Sequence, residues 1–303
     1  MKRLLLHVGY PKAASTTLQN GLFYELHKQK AINFLGRAFE SGYFGARQTK
    51  DSYKEWFEHV AGNGRHDASH SIGELSGSLL NVFSEGLFMT NERRRQAIAG
   101  PDLLHHYFAP LADRIDVLVV IRKQADLIPS YYTQNYRKMQ KRLFADYLAH
   151  HMHHGWGGEG KIFSLHDVVR AYAEVFGKEH VHVVLFEDLV NAKDRFSAQL
   201  GAAIGIDPLL VRAHLGEGHL NQTRKEADTI VIRKMNSRSP RFLLMRLLEK
   251  LGIRAAADSL RIRIPAVTAQ EKNTIFEYFK AGNLQLAEEF SLDKHAMREY
   301  GYF

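Results

Sequence analysis

Residues 4 to 18 read Leu4-Leu5-Leu6-His7-Val8-Gly9-Tyr10-Pro11-Lys12-Ala13-Ala14-Ser15-Thr16-Thr17-Leu18. An apolar run, a turn at Pro11-Lys12 and a hydroxyl cluster leading into helical spacing spell a strand, a phosphate loop and a helix start. Backbone N–H groups at such a helix start, the hydroxyls of Ser15, Thr16 and Thr17, and the Lys12 ammonium together form a cage of donors suited to a phosphate. The nucleotide-triphosphatase loop is built differently, as Gly, four residues, then Gly-Lys-Ser/Thr. Here Lys12 precedes the hydroxyls, with Ala13 and Ala14 between.

Working outward, apolar strands are predicted near residues 3 to 8, Leu79 to Phe83, 116 to 121 and 181 to 186, and a helix from Ser15 to Lys28. Strands separated by long connections predict an α/β fold: a central parallel sheet flanked by helices, with P-loop-like phosphate-binding topology. After Leu189, periodic apolar positions around 223 to 236, 241 to 252 and 270 to 290 predict a helical C-terminal part. The stretch from Ala38 to Gly77, rich in Gly, Ser, His and aromatics, reads as an irregular insertion over the site. With no internal repeat or linker visible, the 303 residues are read as a single domain, 1–303.

Composition narrows the function classes. No run of about 18 apolar residues is present to cross a bilayer, and the apolar stretch after Met1-Lys2-Arg3 is too short for a signal-peptide core. Zero cysteines exclude disulfides and thiol chemistry, and a cytoplasmic protein is the expectation. The balance of 41 basic against 33 acidic residues, a net charge of +8, favours polyanionic partners.

The strand Asp116 to Ile121 ends in Arg122, where a triphosphatase would want a carboxylate to help hold magnesium. The chain continues Lys123-Gln124-Ala125-Asp126-Leu127-Ile128-Pro129-Ser130-Tyr131-Tyr132. A guanidinium grips a phosphate through paired charge-assisted bonds, and a hydroxyl near a helix start adds a donor. Two separated cages imply two separated phosphates. A third segment, Phe186-Glu187-Asp188-Leu189, follows the apolar run Val181 to Leu185.

Together these segments resemble the cofactor signatures of sulfotransferases that use 3'-phosphoadenosine 5'-phosphosulfate. The resemblance implies that the loop Lys12, Ala13, Ala14, Ser15, Thr16 and Thr17 holds the 5'-phosphosulfate, and that Arg122 and Ser130 grip the 3'-phosphate. It places Phe186 near the adenine, where many relatives carry Tyr. Two departures stand out: Ala14 replaces a frequent Gly, and the late Gly-rich basic segment of many relatives is missing. His219-Leu220-Asn221-Gln222-Thr223-Arg224-Lys225 occupies the matching region.

The same resemblance supports Glu85, after Leu79 to Ser84, as the catalytic base, with His59, His66 and His70 as rival bases of more suitable unperturbed pKa. Lys12 would carry the largest electrostatic share at the leaving group, and no metal is expected, because Lys12, Arg122 and the loop N–H groups already oppose the phosphate charge. The expected function is transfer of a sulfuryl group to an acceptor hydroxyl on a carbohydrate or glycolipid. Rival readings are a kinase or phosphotransferase with an atypical loop, and a non-enzymatic polyanion-binding protein. Scattered basic residues without aromatic interleaving argue against a nucleic-acid partner.

Three further segments have bland readings beside sharper ones. His150-His151-Met152-His153-His154 reads as the polar end of a helix, without the carboxylate or Cys spacing of a metal site. Arg93-Arg94-Arg95 reads as a solvated helix start. Pro240 to Leu251 sets Leu244, Leu247, Leu248 and Leu251 on one helical face with Arg246 and Lys250 off it; packing against the sheet explains this pattern, and peripheral contact with an anionic membrane would use it too.

Overall fold

The computed structural model describes residues 1–35, 75–85, 100–136, 143–215, 225–226, 229–232 and 240–303. The chain divides into two compact units, one of residues 1–123, 156–220 and 279–303 and one of residues 124–155 and 221–278.

The first unit is built on strands β1 (Arg3–Val8), β2 (Ile32–Phe34), β3 (Leu80–Glu85), β4 (Arg114–Ile121) and β5 (Val181–Leu185). They form one parallel sheet in the order β2-β3-β1-β4-β5. The central strands are apolar on both faces because both faces are covered: Leu4, Leu5, Leu6 and Val8, and every residue from Val117 to Ile121, have no exposed surface. Each such side chain contributes about 1.5–3 kcal/mol of burial. The expected α/β architecture is borne out. The short edge strand β2 was not anticipated; only three residues long, it carries little pattern of its own.

Helices cover the sheet. Helix α1 (Ser15–Thr17) continues through a π-helical turn (Leu18–Phe23) into α2 (Tyr24–Lys28), burying Leu18, Gln19, Leu22, Phe23 and Leu26. Other helices of this unit are α3 (Gly100–Phe108), α4 (Leu165–Phe176), α5 (Phe186–Asn191), α6 (Lys193–Ile204), α7 (Pro208–His214) and α8 (Lys294–Tyr300). In α4 the buried stripe Leu165, Val168, Val169, Tyr172 and Phe176 has helical spacing, and Gly177 at φ 89° ends the helix where a Cβ would be strained.

Toward its N-terminal end, β4 carries a buried carboxylate. Asp116 accepts Arg114 Nε at 3.0 Å and Nη2 at 2.9 Å and meets His180 Nδ1 at 3.0 Å, with Arg3 Nη2 at 3.6 Å. Burial alone would raise its pKa, but His182, whose Nε2 stands 3.6 Å away, and hydrogen bonds from Arg114 and His180 outweigh burial and hold it well below the carboxylate range. A depressed folded-state pKa stabilises the protein above the unfolded value and loses that contribution as pH falls through the folded one. Asp116→Asn is therefore expected to cost about 1–3 kcal/mol in urea unfolding at pH 7, because it removes the charge from the buried end of bonds whose arginine partners are partly exposed. The deficit relative to wild type shrinks in acid, and an equal deficit at pH 7 and pH 2 would contradict the account.

In the second unit, strands β6 (Lys225–Glu226), β7 (Thr229–Ile232) and β8 (Ile262–Pro265) form an antiparallel sheet. This corrects the helix expected around 223 to 236. The β-branched run Thr229-Ile230-Val231-Ile232 loses χ1 freedom in a helix and fits a pleated surface, and strand pairing overrides the apparent helical spacing. Helices α9 (Gln124–Asn135), α10 (Phe144–His154), α11 (Pro240–Lys250) and α12 (Arg254–Ser259) accompany that sheet, and the chain then enters α13 (Ala269–Glu289). Tyr132 packs against Tyr136, Phe144 and Tyr147 with ring centroids 5.1–5.9 Å apart, so the Tyr131-Tyr132 pair serves as core here. No helix among the described residues is long and apolar enough to cross a membrane.

Candidate active site

The strand order places the loop after β1 beside the loop after β4; the chain runs from β1 to β2 and β3 on one side of it and then crosses to β4 on the other. That is the position at which open α/β sheets form a ligand crevice. In the β1 loop, the Ala13 N–H and the Ser15 hydroxyl both bond the Tyr10 carbonyl, at 3.3 Å each. Lys12 and Ala14 adopt left-handed backbone, with φ 65° and 62°. Ala14 stands at the cap of α1 without a side-chain cap bond, so the first-turn N–H groups have no capping oxygen from it. Ser15 and Thr17 are half-buried, Thr16 is exposed and Ala13 is buried.

A left-handed non-glycine residue costs roughly 1–2 kcal/mol, partly offset in glycine by chain entropy of about 0.5–1 kcal/mol. Ala14→Gly is expected to raise stability by up to about 1 kcal/mol in urea unfolding. A loss of stability would contradict the left-handed loop.

Arg122 links the two loops. Its Nη1 donates to the Lys12 carbonyl at 3.0 Å, its guanidinium lies over the Phe186 ring at 4.6 Å, and its Nε is buried with no protein acceptor. The Lys12 loop, Arg122 and Phe186 thus come together in one place. A planar cation with an unspent donor beside an aromatic face fits a phosphate and a nucleobase.

Glu85 ends β3, and its backbone pairs with Val8 at the foot of the loop. Beneath it, His7 Nδ1 and Ser84 Oγ lie 2.6 Å apart, and Gln19 Nε2 donates to Ser84 Oγ at 2.9 Å. The Ser84 hydroxyl, which accepts from Gln19, keeps both a donor and a second acceptor site for its contact with His7 Nδ1. Burial pushes His7 down to about 3, so its imidazole is neutral. This pair has the composition of a nucleophile and base, but complete burial makes it a tie between β1 and β3.

Sequence reasoning assigned Phe186 but missed its neighbours. Glu187 accepts the Lys123 backbone N–H at 3.1 Å and the Tyr302 hydroxyl at 2.7 Å. Asp188 accepts Arg195 Nε at 2.9 Å and the Tyr300 hydroxyl at 2.8 Å, while Lys123 Nζ donates to the Tyr300 carbonyl at 2.8 Å. Burial, foremost, raises the pKa of Glu187. The two carboxylates anchor the residues flanking Arg122 and Phe186. Two adjacent acids after a buried strand are the signal that could have found them, since acids are rarely buried without partners.

Ser130 lies half-buried in α9, in the second unit. The rival bases His59, His66 and His70, most of the insertion, Arg93 to Arg95 and residues 219 to 224 lie outside the described residues. The histidine run ends α10, with His150 and His154 rings 4.7 Å apart, and no cluster of three potential metal ligands occurs among the described residues.

No family model matches this sequence, and no curated protein matches it. Solved structures do. A sulfotransferase from Alicyclobacillus acidocaldarius aligns over 97% of this chain and 98% of its own, at 14% identity and a TM-score of 0.51. The sulfotransferase domain of the Synechococcus PCC 7002 olefin synthase aligns over 96% and 95%, at 13% identity and a TM-score of 0.40. The first of these likenesses is one of fold, a parallel sheet flanked by helices.

Proposed function

We propose that the protein is a sulfotransferase that moves a sulfuryl group from 3'-phosphoadenosine 5'-phosphosulfate to an acceptor hydroxyl on a carbohydrate or glycolipid. The observation that carries this reading is Arg122, bonded to the Lys12 carbonyl and lying over Phe186, with a buried donor to spare. The donor supplies an activated sulfuryl group. The Lys12 ammonium and the first-turn N–H groups balance negative charge at the leaving oxygen, while Ser15 and Thr16 orient the phosphate. Arg122 holds the 3'-phosphate, with Ser130 assigned to the same phosphate by its place in the sequence signature. Phe186 offers a ring face to the adenine. The Glu85 carboxylate takes the acceptor proton.

The test is calorimetric titration with adenosine 3',5'-bisphosphate, expected to bind at least about 10-fold more tightly than adenosine 5'-phosphate, as one charge-assisted phosphate contact implies. Tighter binding of ATP with magnesium would make the protein a phosphotransferase. Steep salt dependence with no preference for the 3'-phosphate would make it a polyanion binder. A labelled-sulfate screen across glycans and glycolipids then identifies the acceptor. In that assay Glu85→Gln is expected to lower transfer at saturating acceptor about 100- to 10,000-fold. Undiminished transfer would move the base to a histidine.

A further inference from the structure

Helix α11 presents its leucines outward. Met245 is its buried apolar anchor, 4% exposed, whereas Leu243, Leu244 and Leu247 are 58%, 48% and 53% exposed and Leu251, just beyond the helix, is 63% exposed. Packing against a sheet therefore does not account for these leucines. At about 100° per residue the four fall within an arc of roughly 100°. Arg246 and Lys250, both exposed, follow one another a turn apart along one shoulder of that arc. Ile253 extends the apolar surface at 49% exposure. Among the described residues, other exposed apolar side chains, such as Leu143, Val190 and Leu209, do not form such a row along one helix.

We propose that this stripe docks the protein on an anionic lipid surface, with α11 lying in the interfacial plane. The charge pattern selects that occupant. A row of leucines with cations on its shoulder matches acyl chains beneath anionic headgroups, and the chain as a whole carries +8. A two-fold dimer through the same stripe would bring Arg246 and Lys250 toward their own copies. The acid of this helix, Glu249, is already engaged by Arg261 at 3.0 Å and Arg246 at 3.4 Å. The helix is 11 residues long, which suits lying on a bilayer rather than spanning it. The inference stands independently of sulfuryl transfer.

The experiment is vesicle co-sedimentation of the full chain with phosphatidylcholine alone and with phosphatidylcholine containing phosphatidylglycerol. Binding is expected only with phosphatidylglycerol, and weaker at high salt. The double change Leu243→Ser and Leu247→Ser should reduce partitioning by at least about 10-fold, given the apolar area withdrawn from the interface. Lys250→Gln, which keeps every leucine, should reduce it by about 5-fold, the value of one cation near such a surface; it serves as the readout if the serine variant fails to fold by circular dichroism. The proposal is overturned if the chain does not sediment with anionic vesicles, or if binding is indifferent to these substitutions. It is equally overturned if sedimentation equilibrium shows a dimer that the serine changes dissociate, which would assign the stripe to a second copy.

Discussion

Lys12→Ala is expected to lower sulfuryl-transfer turnover about 100- to 1,000-fold while changing donor affinity far less. A unit cation roughly 4 Å from a unit charge interacts by about 4 kcal/mol at an effective dielectric near 20, before desolvation. Only the part of that attraction that grows as charge builds on the leaving oxygen accelerates the reaction. Alanine is a clean replacement, because Lys12 already holds a left-handed φ of 65° with a Cβ in place. The backbone cost is unchanged, and the change falls on the Lys12 side chain. Single-turnover rates at saturating donor, with calorimetric affinities beside them, separate the two quantities. Equal rates for variant and wild type would remove Lys12 from the leaving-group role.

Arg122→Ala should act on the other quantity. It removes the bond to the Lys12 carbonyl, the stacked contact with Phe186 and the spare Nε donor together. Charge-assisted hydrogen bonds are worth about 1.5–3 kcal/mol each, so affinity for adenosine 3',5'-bisphosphate should fall about 100-fold. Affinity for adenosine 5'-phosphate should fall much less, which distinguishes a lost 3'-phosphate contact from a collapsed loop. Arg122→Lys should recover only part of the binding, since an ammonium cannot reproduce the planar fork. If both nucleotides weaken equally, Arg122 acts through the loop and not on the phosphate.

The parallel core was legible because strands buried on both faces are written as unbroken apolar runs, and Leu4 to Val8 and Val117 to Ile121 are such runs. The loop between β1 and α1 was legible from the turn at Pro11-Lys12 and the hydroxyl cluster that opens the helix at Ser15. What the sequence hid depended on long-range partners. Nothing local marks Arg122 as a brace for the Lys12 carbonyl 110 residues earlier, or ties Tyr300 and Tyr302 to Asp188 and Glu187. The helix expected around 223 to 236 failed because β-branched residues at nearly helical spacing paired into a sheet. The leucine face of α11 was visible as a pattern, but periodicity does not say which side of a helix faces inward.

The left-handed residues of the β1 loop bear on how a ligand would be received. Lys12 and Ala14 each hold a conformation that a free peptide seldom visits, and such conformations persist only where the surroundings fix them. Arg122, from the neighbouring strand, is one such restraint. A cradle that is already shaped has little conformational freedom left to surrender, so more of each new phosphate contact appears as affinity. The expected signature is ligand association with rigid-body character, in which the folded chain has borne the ordering cost beforehand.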